Sequence, residues 1–133
     1  MSHHQLSELY KSDDFKNEKH VPVIECDDQF KAGEANEIRV MVGKEIDHPN
    51  TTEHHIRWIK LYYLPEGATQ VYELAKFEFS AHGESTKGAN EGPACTHHCG
   101  AACVKLATSG RIYATSYCNI HGLWESSKTV TVG

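Results

Sequence analysis

Residues 37–42 read EIRVMV, and the alternation is strict: Ile38, Val40 and Val42 fall on one side of an extended chain and their polar or flexible neighbours on the other. The same period of two recurs in residues 75–81, AKFEFSA, where Ala75, Phe77, Phe79 and Ala81 share a face. Two faces of this kind must meet in a core, which predicts packed sheets. Further β-type segments follow at residues 21–26, 54–63, 72–82, 99–108, 111–118 and 128–132, with a helical turn at residues 5–11. Turn residues separate them: KAGEAN before Glu37, LPEGA at 64–68, HGESTKGANEGP at 82–93, and TSG at 108–110, the last read as a tight hairpin. About seven short strands with no long amphipathic helix predict an all-β fold, a seven-stranded immunoglobulin-like antiparallel β-sandwich.

A chain of 133 residues suits one domain, here residues 1–133, and no linker or repeat divides it. No apolar run approaches the roughly 20 residues of a membrane span, and the start, MSHHQLSELYKSDDF, carries no signal-peptide stretch. Those features predict a cytoplasmic protein. A net charge of -5 with no basic stripe argues against nucleic acid as a partner, so an anionic substrate must be drawn by local charge. Five cysteines form an odd set in a compartment expected to be reducing, so metal ligation is the better starting reading than disulfides. Ten histidines point the same way, although His3 and His4 are read as solvated.

Four segments carry the candidate donors: EKHVP at 18–22, DHPNTTEHHI at 47–56, CTHHCGAAC at 95–103 and YCNIHGLW at 117–124. Between His48 and His54, Pro49 and Asn50 allow a loop to fold back so that two imidazoles converge. His54 and His55 face opposite sides of a strand, so only one of them is a ligand. Cys118 and His121 can point into one site when a tight turn follows the cysteine, and a thiolate is a strong donor for transition metals. No methionine lies downstream to serve as the axial ligand of a blue-copper site. Residues 95–103 remain open between two readings. C-x3-C fits half of a structural zinc site, whereas an extended chain places Cys95, His97, Cys99, Ala101 and Cys103 on one face.

Taken together and in order, EKHVPVIE, GKEIDHPNTTEHHIRWI, AHGES…GANEGP and SYCNIHGLWE closely resemble superoxide reductase of the short, single-iron type, also called neelaredoxin, from about Phe15 onward. The resemblance implies one mononuclear iron per chain, cycling between Fe(II) and Fe(III), with four histidine nitrogens in a plane and one cysteine sulfur on the axis. The implied ligands are His20, His48, His54, Cys118 and His121, the first three histidines through Nε2 and His121 through Nδ1. Glu18 is implied to cap the oxidised iron, and Lys19 to attract the anion and order a proton-carrying water. The implied activity is one-electron reduction of superoxide to hydrogen peroxide, with rubredoxin or a similar electron donor, in a homotetramer. There is no N-terminal C-x-x-C module for a second iron.

Backbone N–H groups of Asn119 and Ile120 are expected to hydrogen-bond the Cys118 sulfur. Nothing in the family pattern gives Cys95, Cys99 or Cys103 a role. Two rival readings stand beside the enzyme: a non-catalytic metal-binding or electron-transfer module on the same sandwich, and a structural zinc site at residues 95–99.

Overall fold

The computed structural model describes residues 4–133; His3 lies outside them, and His4 is exposed. The elements are α1 (Leu6–Leu9), β1 (Pro22–Glu25), β2 (Gln29–Phe30), β3 (Ala35–Val42), β4 (Ile56–Pro65), β5 (Tyr72–Glu78), β6 (Cys99–Lys105), β7 (Gly110–Cys118) and β8 (Gly122–Val132). They form a three-stranded sheet in the order β1-β3-β6 and a five-stranded sheet in the order β2-β8-β7-β4-β5. The sheets pack face to face as an immunoglobulin-like sandwich. Among the described residues, no helix is long and apolar enough to cross a membrane.

The alternation read in the sequence builds the core. Ile38, Val40 and Val42 of β3 face Ile59 and Leu61 of β4 and Ile112, Ala114 and Val130 of β7 and β8, all essentially inaccessible to water. Burial of each aliphatic side chain contributes about 1.5–3 kcal/mol, so a one-residue slip of β3, which would turn this face outward, is strongly disfavoured.

Three details differ from the sequence expectation. Among the described residues there are eight strands: β2 is a two-residue strand that pairs parallel with β8, and Lys11 also bridges β8 in parallel at Trp124. β8 begins at Gly122, well before residue 128, because the polar run around Ser126 hides a strand whose Trp124 and Val130 point inward. Residues 108–110 do not close a hairpin. β6 pairs with β3 and β7 with β4 and β8, so this segment crosses between sheets. Leu106 is buried at the crossing, and the Tyr63 hydroxyl donates to the Thr108 carbonyl. A Cβ on Gly110 would lie 2.3 Å from the Leu64 carbonyl oxygen, so β7 meets β4 here at a spacing only glycine allows.

Residues 79–82 leave β5 and turn toward residues 94–96, with Gly83 N–H donating to Ala94 and Thr96 N–H donating to Ala81. The displaced stretch brings His82 beneath the loop between β3 and β4.

Candidate metal centre

Three pieces of chain converge at one end of the sandwich. His20 precedes β1 and is pinned from below, where the buried Ser116 hydroxyl donates to its carbonyl at 3.1 Å. Its ring lies face to face with Trp124, centroids 5.1 Å apart and planes 15° apart. His48 and His54 come from the loop between β3 and β4. Gly43, at φ +81, starts that loop, and a Cβ there would stand 2.8 Å from the His48 backbone nitrogen. Thr51 closes the loop's far end: its N–H donates to the His54 carbonyl at 2.9 Å, and its hydroxyl accepts from His54 N–H at 3.0 Å. Cys118 and His121 sit on the three-residue β7–β8 hairpin, in which Cys118 pairs with Gly122 at φ +81.

A β-bulge between Ile56 and Trp58, against Tyr117 and Cys118, lies between the loop and the hairpin. Bulges re-aim the chain at such positions. Asn119 then ties the two pieces together, accepting from His55 N–H at 2.9 Å and donating to the Glu53 carbonyl at 2.9 Å. Its backbone N–H donates to the His55 carbonyl at 3.2 Å, not to the Cys118 sulfur. The sulfur instead has imidazole nitrogens around it: His48 Nε2 at 3.5 Å and His121 Nδ1 at 3.7 Å. The expectation for Asn119 is therefore corrected, because the hairpin's first N–H is needed to dock the hairpin on its neighbour.

Donor atoms of His20, His54, Cys118 and His121 all lie within 4.8 Å of one another. His48 stands beside this group, its ring centroid 4.8 Å from that of His20 and 4.7 Å from that of His54. Hydrogen bonds fix the tautomers. His20 Nδ1–H donates to Glu18 Oε1 at 2.5 Å and His48 Nδ1–H donates to the Pro49 carbonyl at 2.7 Å, leaving both Nε2 atoms with free lone pairs. His54 Nε2 is buried without any hydrogen-bond partner, an arrangement that costs roughly 1–3 kcal/mol unless something else meets the atom.

A metal ion is what fits. His20 Nε2 and His121 Nδ1 lie 3.0 Å apart, the separation of two nitrogens bound at right angles to one ion with bonds of about 2.1 Å. Burial, followed by the charges of its histidine neighbours, pushes His48 down to about 3. Burial likewise lowers His54, reinforced by His121, His20 and Lys19, and lowers His20 against the opposing pull of Glu18. These imidazoles are held neutral, the form that binds metal.

Of the two residues before His20, Glu18 is half-buried with its carboxylate on His20, accepting from the ring and, at 2.6 Å, from the backbone N–H. Burial works to raise its carboxyl, but those hydrogen bonds and the His20 charge outweigh it and hold the group below the usual carboxylate range. Lys19 is also half-buried, and its charge bears on both His20 and His54. His55 turns away and stacks on His82, centroids 3.5 Å apart and planes 6° apart, with Nδ1–H donating to the Thr51 carbonyl.

Chain comparison agrees with the geometry. Residues 12–127 match the family model described as desulfoferrodoxin. The chain belongs to the desulfoferrodoxin family. Among the family's members, the neelaredoxin of Megalodesulfovibrio gigas is 53% identical over 96% of this chain and 98% of its own length. The superoxide reductase of Pyrococcus furiosus is 52% identical over 94% and 98%. The solved structure of the Archaeoglobus fulgidus superoxide reductase (neelaredoxin) in the reduced form superposes with a TM-score of 0.86 at 47% identity, covering 92% of this chain and 98% of that one.

Sequence reasoning missed the supports of this centre. His82 donates through Nε2 to the Phe79 carbonyl at 2.8 Å and places Nδ1 3.0 Å from Asn50 Oδ1, beneath the loop. Asn90 accepts from Thr52 N–H at 2.7 Å. Nothing in local spacing ties residues 30 to 40 positions apart. The segment at 95–103 is extended from Cys99 onward, and Cys95 lies outside the strand.

Proposed function

We propose that the chain is a superoxide reductase, taking superoxide with one electron and two protons to hydrogen peroxide at a single iron held by His20, His48, His54, Cys118 and His121. The observation that carries this reading is the convergence of four donor atoms within 4.8 Å around a buried, unpartnered His54 Nε2, in a chain whose relatives bear that activity in their names. Iron bound there would supply one-electron chemistry between Fe(II) and Fe(III), with a thiolate among its donors.

The chain's own residues supply the rest. Lys19 sets a positive charge beside His20 and His54, against a net charge of -5 that otherwise repels an anion. Glu18 holds the His20 ring by Nδ1, which keeps Nε2 free and aimed inward. His48 is held the same way by the Pro49 carbonyl. Were Glu18 released from His20, its carboxylate would be available as a further donor to bound iron, the role the family resemblance assigns to it. The same resemblance supports one domain with one iron per chain, electrons from rubredoxin or a similar donor, a homotetramer and a cytoplasmic setting.

Metal analysis and rapid mixing with superoxide test the proposal together. Iron near one per chain, consumption of superoxide without oxygen release, and loss of both in Cys118→Ser are expected. Iron-loaded protein that leaves superoxide to decay at the buffer rate would instead be a non-catalytic metal module.

A further inference from the structure

Four of the five cysteines have no part in the centre, and two of them, Cys99 and Cys103, share one face of one strand. On β6 the side chains of Cys99, Ala101 and Cys103 lie on the outer face, beside Met41, Arg39 and Glu37 of β3, whereas Val104 points into the core. Cys103 is exposed and Cys99 half-exposed. β6 is the last strand of its sheet and pairs with β3 alone.

The free edge belongs to the same residues. Val42 N–H donates to the His98 carbonyl at 3.1 Å, and in an antiparallel ladder the backbone groups of alternate residues point to opposite sides. Gly100 and Ala102 therefore address β3, and Ala101 and Cys103 address the open edge. Such edges are ordinarily guarded by lysine, proline or a bulge. Here Lys105 guards one end, and the middle reads Cys-Ala-Cys in side chains small enough to admit another strand.

Within one chain the two thiols cannot meet. Four residues of strand span about 13 Å, beyond the roughly 7 Å between Cα atoms that a disulfide tolerates. A second copy changes this, because the segment is complementary to itself. When two β6 edges approach antiparallel about a twofold axis at Ala101, Cys99 of each copy stands opposite Cys103 of the other. Both lie on the same face, with Cα atoms about 5.5 Å apart, inside the disulfide range.

We propose that Cys99 and Cys103 form a peroxide-oxidised thiol pair that joins two copies of this chain edge to edge through two reciprocal disulfides. The thiolate of Cys103 attacks one oxygen of hydrogen peroxide. The O–O bond breaks, one water leaves after protonation, and sulfur becomes a sulfenic acid. Cys99 of the second copy then attacks that sulfur, the S–S bond forms, and the second oxygen leaves as water. Each bridge thus consumes two thiols and one peroxide and yields two waters. The oxidant is the product of the reaction proposed above, and the inference rests on that reading only for its source.

Iron-loaded full-length protein treated with hydrogen peroxide, resolved by non-reducing electrophoresis and mapped by peptide mass spectrometry, tests this. A thiol-reversible dimer carrying a Cys99–Cys103 peptide is expected, falling at least tenfold in Cys99→Ser and in Cys103→Ser and persisting in Cys95→Ser and Cys26→Ser. A dimer joined through Cys95 or through two Cys103 residues, or a monomer whose thiols advance only to sulfinic acid, would overturn it. Because peroxide is added directly, a chain that fails to consume superoxide yet forms the Cys99–Cys103 link refutes the function above and leaves this inference standing.

Discussion

At the scale of single residues, the centre is defined by what occupies the second nitrogen of each imidazole. Glu18 holds His20 by a 2.5 Å contact from a position two residues away, so Glu18→Ala leaves the ring free to turn. The loss of such an orienting partner typically weakens metal affinity 10–100-fold, and a competition titration against a chelator should read a change of that size. Glu18→Gln, which keeps an accepting oxygen, should recover most of it. Were the carboxylate important only for charge, the Gln variant would bind as poorly as the Ala variant. The donor residues themselves were legible in the sequence because their types and order are specific to a family. The contact between Glu18 and the His20 ring was not legible, since a residue two positions away along an irregular segment faces no fixed direction.

At the scale of elements, the site is a joint between a loop and a hairpin, and Asn119 is its pin. Asn119→Ala removes the side-chain partners of His55 N–H and the Glu53 carbonyl. A loss of about 1–3 kcal/mol is expected, read as a lower denaturation midpoint, together with weaker iron retention. Unchanged iron retention would show that the hairpin holds its place without the pin. The contact between β5 and β6 across the layers offers a packing test. A Cβ on Gly100 would lie 2.5 Å from the Phe77 ring, so the small residues of β6 are shaped by β5 across the layer. Gly100→Val should destabilise by at least about 1–3 kcal/mol, measured by urea unfolding. Residues 95–103 stayed open between a zinc half-site and an extended chain, whereas β5 on the other side of this contact was readable from its alternation. The crossing at residues 108–110 was not, because turn chemistry looks alike whether the chain returns to its own sheet or moves to the other.

At the scale of the whole molecule, buried histidines couple the fold to acid. His98 is 4% exposed, and its pKa is lowered from 6.5 to about 4 by burial first and the His97 charge second, against the opposing pull of Asp47. Its folded-state pKa is thus depressed. Between about pH 6.5 and 4 the unfolded chain takes up a proton that the folded chain refuses, and stability falls as the pH drops through that window, by up to about 3 kcal/mol. The histidines proposed as metal ligands would add their own acid sensitivity, so the informative quantity is the difference between the parent and His98→Gln. The variant should show a shallower acid limb in its stability-against-pH curve, and identical limbs would remove His98 from the account. The sandwich also carries its own optical gauge. The chain has two tryptophans, of which Trp124 lies against His20 with the Lys11 ammonium on its ring. Trp58, stacked on Tyr117 under Lys60, belongs to a different neighbourhood. Iron in the centre should quench the emission of Trp124 and spare that of Trp58, so the fluorescence of a Trp58→Phe chain would follow loading and release of the ion in real time, without a dye.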